Sequence, residues 1–249
     1  ILVALIGRGV AFEFRSKDKN PAWRTLWDWV IFVGSLVPAL LWGVAFGNLI
    51  RGVPIDATVR YVGSFWTLLN PYALAGGLAT LSIFTLHGAI FLSLKTRGAV
   101  MEKAYATAKL LWLPTVVLVF LFLGAGYYAT DIYTSRGVGP GVVSLGAGVA
   151  LLLAGGFIGR RYNGWAFTMT GMTIVFSAMT IAVGLYPRLM VSSLNPDWSL
   201  TIYNASSSPY TLKVMTIIAL VFVPIVLLYQ GWSYWVFRER IGSDRPLEY

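Results

Sequence analysis

Six stretches of this chain carry no charged side chain: residues 29–50, 61–94, 110–130, 137–159, 162–187 and 214–237. Each exceeds the roughly 18–20 residues that cross about 30 Å of hydrocarbon as a helix rising about 1.5 Å per residue. All ten acidic residues lie outside them. Inside a bilayer no water reaches backbone N–H and C=O groups, so runs of this length must satisfy their own backbone as helices. Amphipathic soluble helices would show a polar stripe at helical spacing, and that stripe is missing. The pattern defines an all-α, polytopic membrane protein.

Composition enters where charge matters. Only 12% of the residues are charged, about half the share of a soluble chain. The absence of cysteine excludes disulfide frameworks and thiolate metal sites. The net +9 comes from 19 basic residues, and their positions explain it. Counting loops after the first apolar segment, the first, third, fifth and last hold Arg8, Arg15, Lys17, Lys19, Arg24, Lys95, Arg97, Lys103, Lys109, Arg160, Arg161, Arg238, Arg240 and Arg245. The second, fourth and sixth hold only Arg51, Arg60, Arg136, Arg188 and Lys213. The basic side faces the cytoplasm, which places the C-terminus inside. The excess charge is topology and gives no support to a nucleic-acid partner.

Local punctuation predicts six full helices at about 28–51, 72–95, 108–130, 138–159, 164–188 and 210–238. Asn70-Pro71 and Ser208-Pro209 each offer an N-cap followed by proline in the first turn. Pro38, Pro114 and Pro224 fall inside spans, where they kink a helix rather than end it. Gly43/Gly47 and Gly155/Gly159 have the small-residue spacing that permits close helix approach. Residues 1–12 are apolar apart from Arg8, too short to span at about 18 Å. Their basic residues follow the apolar stretch instead of preceding it, unlike a signal peptide. The expectation is the second half of a helix, in an N-terminally incomplete sequence.

Few residues could carry chemistry. The single histidine, His87, rules out a bis-histidine haem site within one chain. A lone intramembrane histidine is more often a hydrogen-bonded packing residue than an axial ligand. No acid falls inside the six complete spans, against the pattern of a self-contained pump or cation-coupled transporter. Arg8 is the one basic residue expected at membrane depth, about one and a half turns before Glu13. It either snorkels to the headgroups or lines a polar pathway with groups beyond this chain. Between 189 and 212, Trp198, Ser199, Asn204, Ser206, Ser207 and Ser208 sit in a segment rich in short hydroxyl and amide side chains, with Lys213 just beyond it. That segment is either a well-capped connector or a docking loop for a partner. Asn204-Ala205-Ser206 fits a glycosylation sequon, a triplet common enough by chance to carry little. Trp23, Trp27, Trp29, Trp232 and Trp235 fit interfacial anchoring.

Ordered strings add a resemblance. Trp23-Arg24 through Trp27-Asp28-Trp29, Val44-Ala45-Phe46-Gly47-Asn48-Leu49, Gly52-Val53-Pro54, Leu69-Asn70-Pro71, Leu94-Lys95-Thr96-Arg97-Gly98 and Gly164-Trp165-Ala166-Phe167 are similar to subunit II of the cytochrome bd quinol oxidases. So are Ser199-Leu200-Thr201-Ile202, Asn204-Ala205-Ser206-Ser207-Ser208, Thr211-Leu212-Lys213-Val214-Met215, and Tyr229-Gln230 through Tyr234-Trp235. The resemblance implies nine helices, as two four-helix bundles and a peripheral last helix, with the N-terminus outside. Residues 1–60 would then be the remainder of the first bundle and 61–190 the second. Residues 191–209 would be an extracytoplasmic loop, and 210–249 the last helix and a cytoplasmic tail.

The resemblance also implies a heterodimer in the plasma membrane of a bacterium or archaeon. Haem b and haem d would lie on the partner subunit I, with no cofactor on this chain. The complex would oxidise quinol, reduce O2 to water and build a proton gradient without pumping. A bound quinone or lipid in this subunit, and a small accessory subunit, are compatible with it. The pattern around Arg8 and Glu13 matches the family and implies a structural or proton-path role. The alternatives are a transporter or permease, which would show broken helices in repeated halves, and a membrane scaffold without turnover.

Overall fold

The computed structural model describes residues 1–135 and 138–242; Arg136 and Arg245 lie outside them. The order is α1 (Leu2–Phe14), α2 (Pro21–Arg51), α3 (Pro71–Lys95), α4 (Gly98–Ala129), the single turn α5 (Ile132–Ser135), α6 (Val138–Gly159) and α7 (Asn163–Leu185). Strands β1 (Arg188–Met190) and β2 (Leu200–Thr201) precede α8 (Pro209–Val236). Among the described residues, six helices are long and apolar enough to cross a membrane: α2, α3, α4, α6, α7 and α8.

Asn and Ser caps set the helix starts. Asn70 Oδ1 accepts from the Ala73 N–H at 3.0 Å, and Ser208 Oγ from that of Thr211 at 3.3 Å. A third cap of the same kind, Asn20 before Pro21, accepts from the Ala22 N–H at 2.9 Å. It starts α2 seven residues before the expected position. α4 likewise starts at Gly98 and not near 108. At about 1.5 Å per residue these helices of 31 and 32 residues outrun the hydrocarbon. Their first turns, with Arg24, Asp28, Glu102 and Lys103, therefore stand in the polar boundary, where charge does not oppose helix. α7 ends at Leu185, three residues early, because Pro187 cannot donate to a helix and disfavours helical backbone at Tyr186. Pro38, Pro114 and Pro224 are inside α2, α4 and α8.

Helices α3, α4, α6 and α7 share one core built on Leu86, Ile90, Ala108, Val119, Leu151 and Ala166. α2 packs along α3, and α1 packs on α2. The α2–α3 seam is very close: a Cβ on Gly43 would fall on the Gly76 carbonyl, and one on Gly47 would lie 2.8 Å from Ala73 Cα. Gly155 faces the Trp112 indole with no room for a Cβ, whereas Gly159 has open space around it. Of the two spaced glycine pairs, only Gly43/Gly47 makes a seam with both members. α4 also grips α6 through its aromatics. Tyr105 Oη donates to the Ile158 carbonyl at 2.9 Å, and Trp112 Nε1 to that of Leu151 at 2.9 Å.

The connecting segments sort into two layers. In one, Val53 and the 191–193 segment exchange backbone hydrogen bonds of 3.0 Å, and Ser192 Oγ donates to the Ile55 carbonyl at 2.8 Å. Arg188 forks onto Asp131 at 2.7 and 2.9 Å. In the other, Arg161 forks onto Glu102 at 2.9 and 3.1 Å, and Lys95 Nζ donates to the Phe237 carbonyl at 2.8 Å. Even-numbered loops meet one another and odd-numbered loops meet one another, as alternating crossings require. The segment 189–212, read as a capped connector or docking loop, takes part in a small antiparallel pair, with Met190 opposite Leu200. No residue of α8 is buried.

Candidate functional site

His87 sits on α3 with its ring stacked on Phe167 of α7, centroids 4.3 Å apart. Its Nδ1 is 2.7 Å from Thr170 Oγ1. The Thr170 hydroxyl is fully buried and also lies 3.1 and 3.0 Å from the carbonyls of Ala166 and Phe167 in its own helix. With that proton turned to a carbonyl, Nδ1–H donates to the threonine oxygen. The histidine therefore couples two helices. Among the described residues no group of three or more His, Cys, Asp and Glu side chains could hold a metal ion.

Arg8, Glu13 and His87 are not brought together. α1 packs against α2, whereas His87 faces α7. Arg8 is exposed, its Cζ 5.9 Å from the Phe12 ring centroid, with its Cβ seated at Gly34 of α2. Glu13 is exposed as well. The ion pair at that end is Arg15 with Asp28.

The loop candidates divide by what they touch. Ser199 is buried and its Oγ accepts from the Ser192 N–H at 3.1 Å. Asn204 accepts from the Thr201 N–H at 2.7 Å and donates to the Ser199 carbonyl at 3.1 Å, so both build the loop itself. Trp198 is half-buried, Ser208 caps α8, and Ser206, Ser207 and Lys213 are exposed. Facing them across the same layer, Asp56 accepts from the Thr58 hydroxyl and from the N–H groups of Thr58 and Arg60 at 2.7, 2.8 and 3.0 Å. The Thr58 hydroxyl bond, followed by the Arg60 amide, holds its carboxyl below the ordinary value. In the opposite layer Glu102 raises the Arg161 guanidinium further above its usual value.

A cavity of about 160 Å³ lies where α2, α3 and α4 meet the outer turns of α6 and α7, with Phe46, Tyr72, Phe84, Phe122, Tyr133 and Ser177 on its wall. Tyr133 Oη and Ser144 Oγ are 3.2 Å apart, and Ser144 Oγ is 3.3 Å from Thr180 Oγ1. Tyr72 is buried and stacks on Phe122 at 4.9 Å. Its hydroxyl has no hydrogen-bond partner among the described residues. Sequence reasoning passed over this cluster, although Thr170, Thr173, Ser177 and Thr180 recur at helical spacing along α7. That hydroxyl stripe was the available signal.

Fold and site define a class: a multi-pass helical membrane subunit whose one histidine is spent on packing and whose crossings hold a polar-edged apolar cavity. The chain belongs to the family described as cytochrome bd terminal oxidase subunit II, which it matches over residues 1–237. It is 40% identical over 249 residues to the cytochrome bd ubiquinol oxidase subunit 2 of Bacillus subtilis (strain 168), covering 100% of this chain and 74% of that one. It is 36% identical to the cytochrome bd-I ubiquinol oxidase subunit 2 of Escherichia coli (strain K12), covering 98% of this chain and 73% of that one. The solved structure of bd oxidase from Geobacillus thermodenitrificans aligns with a TM-score of 0.68 at 19% identity, over 94% of this chain and 72% of that chain, and it shows the shared fold. None of these matches supports the transporter alternative.

Proposed function

We propose that this chain is the haem-free half of a quinol:O2 oxidoreductase. It would assemble with a haem-bearing subunit I that holds haem b and haem d, oxidises quinol and reduces O2 to water. The family match along the whole chain carries the reading. Chemistry supports it from the other side, since the single histidine is engaged with Thr170 and the crossings offer no acid for a proton relay. A gradient then arises from taking substrate protons from one side of the membrane, and Arg8 and Glu13 would contribute structurally or to the proton path at the α1 face. The distribution of basic residues supports a cytoplasmic C-terminus, and the cell would be bacterial or archaeal.

Residues 1–60 complete a first bundle and 61–190 form the second, with 191–209 as the outer loop and 210–249 as the last helix and tail. Trp198, Ser206, Ser207 and Lys213 then present the outer layer to subunit I, and a small accessory subunit is a further partner to look for. A bound quinone or lipid would find an apolar pocket with a free phenolic donor, Tyr72, in the 160 Å³ cavity. Quinol-dependent oxygen uptake by the complex purified through this chain tests the proposal. A complex that consumes no oxygen with any quinol would overturn it in favour of a scaffold.

A further inference from the structure

Among the described residues, four backbone positions adopt positive φ: Gly52, Val59, Gly98 and Arg161. Glycine has no Cβ to clash there, whereas a β-branched residue at such an angle is strained. Arg161, at φ +58°, is held by other contacts. Its guanidinium forks onto Glu102 at 2.9 and 3.1 Å and lies 4.5 Å from the Tyr105 ring centroid. Val59, at φ +61°, has no such compensation, since its side chain is 53% exposed and more than half of it touches nothing in this chain. Hairpins with a left-handed residue ordinarily place glycine there.

The rest of the hairpin is firmly built, so the strain is not relieved by a loose loop. Val53 and Ile55 are buried at its foot, where Val53 bridges to Ser192 and Ile55 pairs with Tyr61. At the tip Asp56 N–H donates to the Arg60 carbonyl and Val59 N–H to the Asp56 carbonyl, both at 3.0 Å. The Asp56 carboxylate then accepts from the Thr58 hydroxyl and from the amides of Thr58 and Arg60. Acyl chains do not cover Val59, because Arg51, Asp56 and Arg60 mark this stretch as having left the hydrocarbon. Arg60, beside it, makes no ion pair among the described residues.

We propose that Val59 anchors subunit I: the strained valine enters an apolar recess in a loop of that subunit, with an acidic group at the rim meeting Arg60. The inference rests on the heterodimer proposed above. It extends the face presented by Trp198, Ser206, Ser207 and Lys213, because Val53 and Ser192 join the hairpin to the same loop layer. Glycine at this position gives a less strained hairpin and a weaker interface. A purely local role gives the opposite, since relief of strain then stabilises the whole assembly.

The test uses the intact complex purified through this chain, as wild type, Val59→Gly, Val59→Asn and Val59→Ile. Glycine and asparagine both tolerate the left-handed angle, whereas isoleucine keeps the branched apolar group. Native mass spectrometry over a urea series reads how much subunit I each complex retains. In Val59→Gly and Val59→Asn, subunit I dissociates about tenfold more readily, the loss expected for one buried valine. Val59→Ile retains it as wild type does. A benzophenone amino acid placed at position 59 cross-links to subunit I. Unchanged or tighter retention in both Val59→Gly and Val59→Asn overturns the proposal. So does a cross-link to lipid, to a second copy of this chain, to an accessory subunit or to nothing. If either variant fails to assemble, the cross-link decides. A wild-type complex without any haem-bearing subunit overturns the heterodimer as well, which tells that failure apart from one at Val59 alone.

Discussion

His87 and Thr170, 83 positions apart in sequence, meet with Nδ1 and Oγ1 at 2.7 Å and tie α3 to α7 inside the bundle. The stack on Phe167 fixes the ring plane. The one histidine of this subunit is thus committed to holding two helices together. A neutral hydrogen bond of this kind contributes about 1 kcal/mol net.

Replacing His87 with Ala should therefore lower complex stability by about 1–2 kcal/mol, from the lost hydrogen bond and ring stack together. Haem content should stay at the wild-type level. Thermal unfolding with a haem assay on the same sample checks both parts.

The α2–α3 seam makes a sharper prediction. Gly43→Ala would push a methyl into the Gly76 carbonyl and should cost about 1–3 kcal/mol. Gly156→Ala meets open space and, in a helix interior, should be neutral or stabilising by about 0.5–1 kcal/mol. Melting temperatures of the two variants should move in opposite directions or differ by several degrees.

At the Asn70 end of the same seam, Asn48 is buried and donates to the carbonyls of Val44 and Leu68 at 2.9 and 2.7 Å, while its oxygen accepts from Asn70 Nδ2 at 2.9 Å. Asn48→Ala strands the Leu68 carbonyl and the Asn70 amide, at a cost of about 1–3 kcal/mol. Proteolysis within 52–70, slow in wild type, should accelerate in the variant.

Asp56 predicts a pH response in the layer that holds Val53 and Arg188. Its carboxyl is held below the ordinary value by the Thr58 hydroxyl and the Arg60 amide. Its contribution to folding is therefore complete above the unfolded value and disappears as the pH falls through the folded one. The difference in Tm between wild type and Asp56→Asn should close on acidification and stay constant from neutral to mildly alkaline pH.

How far the sequence could be read follows from what sets each feature. Crossings were visible because charge is excluded from hydrocarbon, and the Asn70 and Ser208 caps because they act within four residues. The starts of α2 and α4 were misplaced because absence of charge marks the membrane, while helix continues past it through Arg24, Asp28 and Glu102. The bridge between Val53 and the 191–193 segment escaped notice because it joins backbone groups far apart in the sequence. The same holds for Tyr72, whose role depends on a cavity that six segments enclose. Gly159 shows the converse limit, since its spacing from Gly155 suggested a seam that the packing does not make.

The central claim is that this subunit supports redox chemistry held by its partner. Its most direct test is the reduced-minus-oxidised spectrum of the complex purified through this chain, as wild type and as His87→Gln. The account predicts haem b and haem d bands of equal intensity per complex in both, with quinol-dependent oxygen uptake preserved. A complex without haem, or a haem band lost on substituting His87, would contradict it.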